Sequence, residues 1–546
     1  MRKVLSAQEM REVDRLTTEK YGIPSLLLME NAAHAAARVI AERLEGPLAE
    51  RSVLILCGTG NNGGDGAALA RVLWQDGADV EVVLFGKAED TDGDARVNFE
   101  ILRRISDGEG FEMDQADLSF EEITSLEEWL EYDSLNFHAD DPDVLVDAMF
   151  GTGLSRPLEE IHQQAAAYID AYCEHDCGTL VVALDIPSGI DGDRCERIGI
   201  NPRVHLTVSF TAPKLANVLP PAANCSGDVV VVNIGTPAVL VHDAASETYV
   251  AEAEDVRHWM AFTEFSPGSY KRKRGHALLI AGAENYAGAA VMCGNAAIRT
   301  GAGVVTLAVP ESSQTAIAAR VSPEVMVRGV AETGKKAVSE KAFAEIEEFW
   351  ERADAVAIGS GLSETDPSTR KLVKKVFEKR RTPLVIDADG LNLLSPFKLK
   401  GDDLLPVIMT PHEGEFLRLL GEKDGSAIAD RVAAARDFAK RHNVILLLKG
   451  ERNLISAPDG RVVINPTGNS GLGKAGNGDT LTGIVTGFVA QAVKLNVDIF
   501  ETVVAAAYVA GLAGDIAEET FGKRIMTASD VAGCLGDAFE LIENEL

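Results

Sequence analysis

Short aliphatic runs alternate with stretches of helical periodicity along the first half of the chain. The runs are "SVLILCG" at residue 52, "DVEVVLFG" at 79, "DVLVDAMFG" at 143, "GTLVVALDIPSG" at 178 and "HLTVSF" at 205. Continuous apolar strands between helices are typical of a parallel sheet that is covered on both faces. The pattern therefore predicts an α/β domain.

A second series of aliphatic runs begins after a mixed polar stretch near residues 240 to 265. It contains "GHALLIAGA" at 275, "GVVTLAVP" at 303, "DAVAIGSG" at 354, "TPLVIDADG" at 382, "PVIMTPH" at 406 and "NVILLLKG" at 443. A chain of 546 residues also exceeds what one hydrophobic core usually organises. We predict two tandem three-layer α/β domains, at 1–240 and 265–546, joined by a linker at 241–264.

The charge of the chain limits its partners. The formal net charge is −32 and the sequence pI is about 4.7, so nucleic acids and anionic membranes would be repelled. The first residues, "MRKVLSAQEMREVD", lack the apolar segment of a signal peptide, and no uninterrupted apolar run approaches the length of a membrane span. We expect a cytoplasmic homo-oligomer that binds neither nucleic acid nor membranes.

The negative charge is concentrated in one segment. Residues 107–143 contain fourteen Asp and Glu residues and no Lys or Arg. We interpret this segment as a solvated acidic insertion, and a protein-docking surface is the alternative. The seven cysteines show neither a disulfide framework nor a zinc pattern, so we expect free thiols.

A glycine-rich loop directly follows the first predicted strand, in "LCGTGNNGGDGAALARVL" at 56. A helix that begins behind a strand offers unpaired N–H groups and the positive end of its dipole, which suits a phosphate. Glycine loops of this kind are weak evidence alone, and a merely structural turn is the alternative.

Two later motifs place carboxylates at strand ends. "VDAMFGTGLSRPL" at 146 contains Asp147, and "ALDIPSGID" at 183 contains Asp185. Because strand ends form the binding crevice of an open α/β sheet, we expect both to converge with Asn62. Buried carboxylates need a cation or a polar ligand, and oxygen ligands favour an alkali or alkaline-earth ion. The alternative is that one Asp caps a turn.

Five N-terminal motifs together resemble the NAD(P)H-hydrate epimerase domain over about residues 5 to 240. They are "LLLMENAA", "GTGNNGGDG", "DAMFGTGLSRP", "DIPSGIDG" and "GDVVVVNIGTP". The resemblance implies a Rossmann-like fold, a catalytic Asp185 near the reacting carbon of the substrate, and a potassium ion held by Asn62, Asp147 and Ser188. It also implies that the hydrated nicotinamide nucleotide is lined by Asn61, Asn62, Gly63, Gly64, Asp65, Gly151, Thr152, Gly153, Leu154, Ser155, Arg156, Pro157 and Asp185.

The most glycine-rich segment is "NPTGNSGLGKAGNGDTLTGIVTGF", at residues 465 to 488. A long helix is expected to begin near Asp479, which would place the N–H groups of Gly476 to Asp479 around an anion. Asp479 would then accept a proton from a hydroxyl that attacks phosphorus. The alternative is that Asp479 is only the N-cap of the helix.

Five further motifs decide between these alternatives. With the glycine-rich segment, "IAGAENYAGAAVMCGNAAIRTGAG" at 280, "AIGSGLS" at 357, "VIDADGLNLL" at 385, "MTPHEGEF" at 409 and "LLKGERN" at 447 resemble the ADP- or ATP-dependent NAD(P)H-hydrate dehydratases of the ribokinase-like superfamily. The resemblance implies that Ala289, Gly361, His412 and Asp479 face the hydrated substrate, with Asp479 catalytic. It implies that the nucleotide is bound by Lys449, Gly450, Glu451, Arg452, Asn453 and Gly478.

The sequence departs from the dehydratase pattern at three positions. Ser360 and Ser363 stand where the family has Pro and Gly, and Asn477 stands where it often has Thr. These changes leave Gly361 and the pair Gly478 and Asp479 in place. They affect the expected rigidity of the loop and the preference between nucleotides, and not the expected reaction.

Together the two resemblances imply a bifunctional enzyme. Its first domain would interconvert the R and S forms of hydrated NADH or NADPH. Its second would phosphorylate the C6 hydroxyl of the S form from ADP or ATP, with magnesium, and then eliminate phosphate. A ribokinase-like small-molecule kinase is one alternative, and a binding module similar to RNA-decapping scaffolds is another.

Overall fold

The computed structural model describes residues 1–44, 46–49, 51–108, 116–136, 141–154, 156–174, 178–364 and 366–544. The chain divides into two compact units. One contains Lys3–Ser246, and the other contains Glu247–Leu546 with Met1 and Arg2. Both are built from sheets with parallel strands and flanking helices, which confirms the predicted fold class.

The N-terminal domain contains one parallel sheet of seven strands. In spatial order they are Leu118–Ile123, Asp79–Phe85, Ser52–Cys57, Val144–Ala148, Leu180–Leu184, Leu206–Phe210 and Asp228–Val232. The chain adds strands first to one side of Ser52–Cys57 and then to the other. Strand order therefore reverses between Ser52–Cys57 and Val144–Ala148, and the crevice for a ligand is expected there.

Helices cover both faces of this sheet. Their bounds are Ala7–Tyr21, Ser25–Arg43, Asn61–Gln75, Gly93–Ser106, Leu126–Asn136, Glu160–Glu174, Leu215–Val218 and Ala238–His242. One buried cluster joins Ser25–Arg43, Asn61–Gln75 and Gly93–Ser106 to the sheet, and a second joins Leu126–Asn136 and Glu160–Glu174 to its other face. The sheet is thus the middle of three layers.

The acidic segment 107–143 is not simply a solvated insertion. Leu118–Ile123 is the edge strand of the sheet, and the helix Leu126–Asn136 buries Trp129, whose ring centroid lies 5.2 Å from that of Phe85. The acidic side chains lie on the exposed face of the same elements. The high number of acidic residues hid this amphipathic pattern. The interpretation of residues 118–136 as a solvated insertion was therefore wrong. Residues 109–115 and 137–140 lie outside the described residues.

The second domain is built on a mixed sheet. In spatial order its strands are Arg2–Lys3, Thr248–Val250, Val462–Ile464, Leu454–Ser456, Ile445–Leu448, Val407–Met409, Leu384–Ile386, Ala355–Ile358, His276–Ile280, Val304–Pro310 and Met326–Val330. The strands from Ile445–Leu448 onward run parallel, whereas Leu454–Ser456 is antiparallel to both neighbours. Strand order reverses between His276–Ile280 and Ala355–Ile358, which sets the second crevice.

Part of the predicted linker belongs to the second domain. Thr248–Val250 is a strand and Ala253–Phe262 is a helix, and both lie within residues 241–264. Trp259 stacks on Phe488 with ring centroids 4.2 Å apart and is buried in the core. The polar composition of this stretch hid a helix with one apolar face, so a linker over 241–264 is corrected to a boundary at 246.

The other helices of this domain are Ala287–Arg299, Gln314–Ala318, Phe343–Trp350, Pro367–Glu378, Asp389–Leu394, Glu413–Leu420, Arg431–His442, Asn477–Leu495, Ile499–Phe521, Ala528–Gly533 and Leu535–Asn544. Among the described residues, Ile499–Phe521 is the one helix whose length and composition would allow it to cross a membrane. The helix packs within the core of the domain, and 61% of its apolar window is buried there.

The central helix, Asn477–Leu495, packs closely against the helix Ala287–Arg299. A Cβ atom built on Gly483 would lie 2.2 Å from the carbonyl oxygen of Cys293, and one built on Gly487 would lie 2.2 Å from Oγ1 of Thr300. These two glycines of the glycine-rich segment therefore allow helix packing and do not line a phosphate loop.

We expect Gly483→Ala to destabilise the protein. Alanine favours a helix by about 1 kcal/mol over glycine, but the added methyl group would meet a backbone carbonyl that cannot move freely. Overpacking of this kind costs about 1–3 kcal/mol. Gly536→Ala is the matched control, because a Cβ there meets nothing within 4 Å and the helix should gain stability. Urea unfolding of both variants tests this; an unchanged midpoint for Gly483→Ala would contradict it.

Candidate active sites

Glycines let two loops of the N-terminal crevice approach each other. A Cβ atom on Gly58 would lie 2.1 Å from the carbonyl oxygen of Met149, and one on Gly63 would lie 1.7 Å from the carbonyl oxygen of Gly58. No other residue type fits at these two positions without backbone movement. The loop after Ser52–Cys57 is thereby pressed against the loop after Val144–Ala148.

The structure brings Asn62, Gly151 and Asp185 together. A Cβ atom on Gly151 would lie 3.4 Å from Oδ2 of Asp185 and 3.5 Å from Cβ of Asn62. Asn62 is buried, and neither Oδ1 nor Nδ2 of its side chain has a hydrogen-bond partner among the described residues. A buried amide of this kind is costly unless a ligand satisfies it.

Asp147 and Ser188 lie beside Asn62, Gly151 and Asp185 and are hydrogen-bonded to each other. Asp147 is fully buried and accepts hydrogen bonds from Oγ of Ser188 at 2.6 Å, from its N–H at 2.8 Å and from the N–H of Met149 at 3.2 Å. Burial raises the pKa of Asp147 to about 6, although these hydrogen bonds oppose the rise. Oγ of Ser188 also accepts from the N–H of Phe150 at 3.0 Å, which fixes the hydroxyl group near Gly151.

Sequence reasoning missed Lys214, which pairs with Asp185. The ammonium of Lys214 is buried; it contacts the carboxylate of Asp185 and donates to Oγ of Ser209 at 3.2 Å and to the carbonyl of Phe210 at 3.0 Å. Asp185 has a left-handed backbone with φ of +68°. The available signal was a lysine that is the one charged residue in "SFTAPKLANV".

The remaining predicted residues of this site differ in their exposure to solvent. Asn61 to Asp65 form the first turns of the helix Asn61–Gln75, and Thr152 lies against Gly192, with Cγ2 3.4 Å from a Cβ built there. The Arg156 side chain is 77% exposed and lies 3.8 Å from Glu159. Leu154 is partly buried and Pro157 is exposed, and both lie in a loop. A Cβ atom built on Gly153 would meet nothing within 4 Å. Ser155 lies outside the described residues.

In the second domain, the crevice contains Gly361, Ala289 and Tyr286. Gly361 has φ of +62°, and a Cβ atom there would lie 2.7 Å from Cβ of Tyr286 and 2.9 Å from Cβ of Ala289. Glycine is therefore required at position 361, both because the backbone is left-handed there and because a side chain would clash with Tyr286 and Ala289. A cavity of about 350 Å³ opens beside them and is lined by Tyr286, Ser363, Glu364, Asp389, Asn392 and Arg418.

The start of the central helix faces an ion pair between the partly buried Lys449 and the buried Asp387. A Cβ atom on Gly478 would lie 3.5 Å from Nζ of Lys449 and 3.7 Å from Oδ2 of Asp387. Nζ of Lys449 donates to Oδ1 of Asp387 at 2.8 Å, and the hydroxyl of Thr482 donates to Oδ2 at 2.7 Å. Asp387 and Thr482 were not predicted as site residues, although Asp387 ends a strand in "VIDADG".

Asp479 is not the N-cap of the central helix. The cap position belongs to Gly476, which has φ of +96°, and Asp479 is the third helical residue and makes no capping hydrogen bond. Burial raises the pKa of Asp479 to about 6, and the charge of Asp387 adds to the rise. Ser360 and Lys449 oppose it, although Oγ of Ser360 makes no hydrogen bond of good geometry within the part of the chain that the structure describes. The alternative of a simple cap is therefore excluded.

His412 does cap a helix. Nδ1 of His412 accepts hydrogen bonds from the N–H of Gly414 at 3.0 Å and of Glu415 at 3.3 Å, at the start of Glu413–Leu420. The ring is 56% exposed, so Nε2 is accessible to a ligand. The N–H of Lys449 donates to the carbonyl of Pro411 at 2.8 Å, which places the His412 turn beside the Lys449 turn.

The predicted nucleotide residues Lys449 to Asn453 form a tight turn between two strands. Oδ1 of Asn453 accepts from the N–H of Gly450 at 3.2 Å, and Arg431, which was not predicted, donates to the carbonyl of Arg452 at 3.2 Å. Burial lowers the pKa of the Arg452 guanidinium, and Glu451 is exposed. Burial alone would lower the pKa of Lys449, but Asp387, Glu415 and Asp479 outweigh it and raise that pKa.

Each domain thus holds buried carboxylates and a glycine-containing helix start at the point where its strand order reverses. This arrangement defines a two-domain α/β protein with two separate small-molecule sites, and the second is suited to a phosphoryl group.

Comparison with known proteins gives the family. A family model described as YjeF-related protein N-terminus matches residues 25–216, and one described as NAD(P)H-hydrate dehydratase matches residues 277–535. The bifunctional NAD(P)H-hydrate repair enzyme of Moorella thermoacetica is 36% identical over 544 residues, which cover 100% of this chain and 98% of that protein. Its counterpart from Salinibacter ruber is 35% identical, over 97% of this chain and 94% of that protein. The chain belongs to the family of bifunctional NAD(P)H-hydrate repair enzymes, which confirms the expected resemblance.

Solved structures are similar to the second domain. An ADP/ATP-dependent NAD(P)H-hydrate dehydratase from Bacillus subtilis, co-crystallised with ATP and Mg²⁺ and soaked with CoA, is 27% identical with a TM-score of 0.45. The similarity covers 54% of this chain and 98% of that one. A ribokinase-like superfamily protein from Enterococcus faecalis is 25% identical with a TM-score of 0.46, over 54% of this chain and 97% of that one.

Proposed function

We propose that the protein repairs hydrated NADH and NADPH by two activities in one chain. The N-terminal domain interconverts the R and S forms, and the second domain dehydrates the S form at the expense of ADP or ATP. The observation that supports this most directly is the position of Asp479, beside Gly478 and the Lys449–Asp387 pair and free of any capping role. We also predict a homo-oligomer located in the cytoplasm.

The N-terminal crevice fits a potassium ion. Oδ1 of Asn62 is buried without a partner, and Asp147 is a buried carboxylate that no lysine or arginine among the described residues pairs with. A cation would balance the charge of Asp147, and oxygen ligands suit an alkali ion. Asn62, Asp147 and Ser188 would hold the ion, which would supply a fixed positive charge close to Gly151.

In the second domain, Asp479 would remove the proton from the C6 hydroxyl as that oxygen attacks the terminal phosphorus of the nucleotide. The N–H groups at the start of the central helix and the ammonium of Lys449 would stabilise the charge on the transferred group. The resulting phosphate is a better leaving group than water, and its elimination restores the reduced ring. Ala289, Gly361 and His412 would contact the substrate, and Lys449 to Asn453 and Gly478 the nucleotide.

Magnesium would enter this site on the nucleotide. In the part of the chain that the structure describes, no group of three or more His, Cys, Asp or Glu side chains is placed to hold a metal. Mg²⁺ does not need such a group, because it binds substrate phosphates with one or two carboxylates and keeps several of its waters. The ion would neutralise phosphate charge there.

The test is recovery of reduced-nicotinamide absorbance from mixed hydrated NADH epimers with ADP or ATP. Full recovery is expected. A plateau at the fraction of the S form would remove the epimerase activity, and no recovery with either nucleotide would remove the dehydratase activity. A stable phosphorylated product in place of NADH would favour a small-molecule kinase.

The dehydration rate should depend on pH through Asp479. Its pKa is raised to about 6, and only the carboxylate can accept a proton. The rate should therefore rise with pH through about 6 and fall about tenfold per unit below it. Initial rates on the S form at saturating nucleotide between pH 5 and 8 check this. A rate that is flat across this range would assign the base to another group.

A further inference from the structure

The cavity of the second domain is lined by charges of both signs. Glu364 and Asp389 contribute carboxyl groups, and Arg418 is the one basic residue among those that line it. Arg418 forms no ion pair with any carboxylate in the part of the chain that the structure describes. The cavity therefore offers a guanidinium group whose charge no neighbouring carboxylate in this part neutralises directly.

The Arg418 side chain is nevertheless held in place. Its Nε donates to Oδ1 of Asn392 at 2.7 Å, and Asn392 also lines the cavity. Within the described ranges, no protein acceptor engages Nη1 or Nη2. A guanidinium that is oriented through Nε and keeps its terminal N–H groups available has the geometry that binds a phosphate with paired hydrogen bonds.

Arg418 lies close to the turn at His412. A Cβ atom built on Gly414 would lie 3.0 Å from Cε1 of His412 and 3.8 Å from Nη1 of Arg418, so the two side chains flank this glycine. The imidazole ring is accessible to a ligand, as its 56% exposure shows. A ligand that contacts His412 therefore passes close to the guanidinium of Arg418.

The same cavity extends to the turn at Gly361. Its one aromatic lining residue, Tyr286, is 54% exposed, and a Cβ atom on Gly361 would lie 2.7 Å from the Cβ of this tyrosine. The N–H of Ser363 donates to Oδ2 of Asp389 at 2.8 Å, and Asp389 begins the helix Asp389–Leu394, which also carries the amide that holds the guanidinium. Hydrogen bonds and one short helix thus connect the two ends of the cavity.

The lining has the chemistry of a ribose phosphate site. Carboxylates accept hydrogen bonds from ribose hydroxyl groups, and a guanidinium binds the phosphate. A ligand that is anionic throughout would be repelled by the two carboxyl groups, and a cation would be repelled by the arginine. The volume of about 350 Å³ is near the lower end of the range for small-molecule sites, so it suits part of a dinucleotide.

We propose that Arg418 binds the phosphate that is attached to the nicotinamide riboside of the hydrated substrate. This inference rests on the proposed dehydratase function, in which the hydrated ring lies beside Gly361 and Asp479. The ribose then lies along the two carboxyl groups of the cavity. Because this phosphate takes no part in the reaction, its contact is the same in the ground state and the transition state. Arg418 therefore acts on KM more than on kcat.

The test compares the S forms of three hydrated substrates with the full chain. NADH and reduced nicotinamide mononucleotide carry this phosphate, whereas reduced nicotinamide riboside lacks it. Arg418→Gln should lower kcat/KM for the first two by about 10- to 100-fold, mainly through KM, as expected for lost charge-assisted hydrogen bonds. It should change kcat/KM for the riboside by less than about threefold, because that substrate lacks the contact. An equal loss with all three substrates, or a loss with none, would overturn the proposal.

A conservative variant separates charge recognition from a structural effect. Arg418→Lys keeps the charge without the paired N–H geometry, so it should restore part of the loss with the two phosphorylated substrates. A lysine variant as poor as the glutamine variant with hydrated NADH would contradict recognition by charge. A raised KM for ADP or ATP alone would assign Arg418 to the nucleotide and overturn the proposal. If the wild-type chain does not dehydrate the S form of hydrated NADH, the proposed function itself fails, and this inference fails with it.

Arg381→Gln is the matched control. Arg381 is exposed, pairs with Glu347 at 2.6 Å and precedes the strand Leu384–Ile386. It therefore lies at the amino end of that strand, whereas the crevice lies at the carboxyl ends of the strands. The variant makes the same change in net charge and should leave kcat/KM unchanged for all three substrates. A loss that matches the one in Arg418→Gln would show a general effect of charge and overturn the assignment.

Discussion

Replacing Asp479 with asparagine is expected to lower the dehydration rate by about 10²–10⁴-fold, the usual contribution of a positioned general base. The side chain is the third residue of the central helix and makes no capping bond, so asparagine removes proton acceptance without removing a cap. Nucleotide binding should be largely retained, since Lys449 and Gly478 are unchanged. Initial rates of dehydration of the S form measure the first effect, and nucleotide-dependent shifts in Tm measure the second.

A carboxylate at the next helix provides the matched control. Asp498 is the N-cap of Ile499–Phe521, where its side chain accepts from the N–H of Glu501 at 2.8 Å. Because asparagine caps as well as aspartate, Asp498→Asn should change neither rate nor stability appreciably. Turnover by Asp479→Asn within a few-fold of wild type would mean that another group takes the proton.

Asp185→Asn is expected to stop epimerisation, so that recovery of NADH stops at the fraction of the S form. It also removes the partner of an ammonium that is almost completely buried. Breaking a buried pair in this way costs about 3–5 kcal/mol, so the free energy of unfolding of the N-terminal domain should fall as well. Recovery of the R form and urea unfolding measure the two consequences.

The control for this variant is an ion pair of the same domain outside the crevice. Asp170 pairs with Arg203, and both side chains are about one-third or more exposed. Asp170→Asn should leave epimerisation unchanged and cost at most about 1 kcal/mol. If Asp185→Asn recovers the R form as fast as Asp170→Asn does, Asp185 has no catalytic role.

The central strands of both sheets and the location of both crevices were predictable because they follow from local pattern, whereas the strands Leu118–Ile123 and Thr248–Val250 were not. Aliphatic runs such as Ser52–Cys57 and Leu180–Leu184 are strands as expected, and residues that directly follow a strand lie at its carboxyl end. The partners across the crevices were not predictable in this way. Lys214 is 29 residues from Asp185, and Lys449 is 62 residues from Asp387, so only the folded sheet brings them together.

Glycine had several roles that the sequence could not separate. Gly476 begins the central helix with a left-handed backbone, and Gly478 leaves space beside Lys449. Gly483 and Gly487 belong to the same glycine-rich segment but allow close contact between helices. The distinction depends on backbone angles and on neighbours that are distant in sequence, and a single sequence contains neither.

The contact at Gly483 has a consequence for how this enzyme family can diversify. In the proposed site, Ala289 of the helix Ala287–Arg299 and Asp479 of the central helix both contact the substrate, so the spacing of the two helices would set the gap into which the substrate fits. Any larger residue at Gly483 would widen that gap from within the core. On this proposal the substrate range would depend on the packing of the core, and directed evolution toward other alcohols should hold Gly483 constant and vary the turns at 359–363 and 449–453.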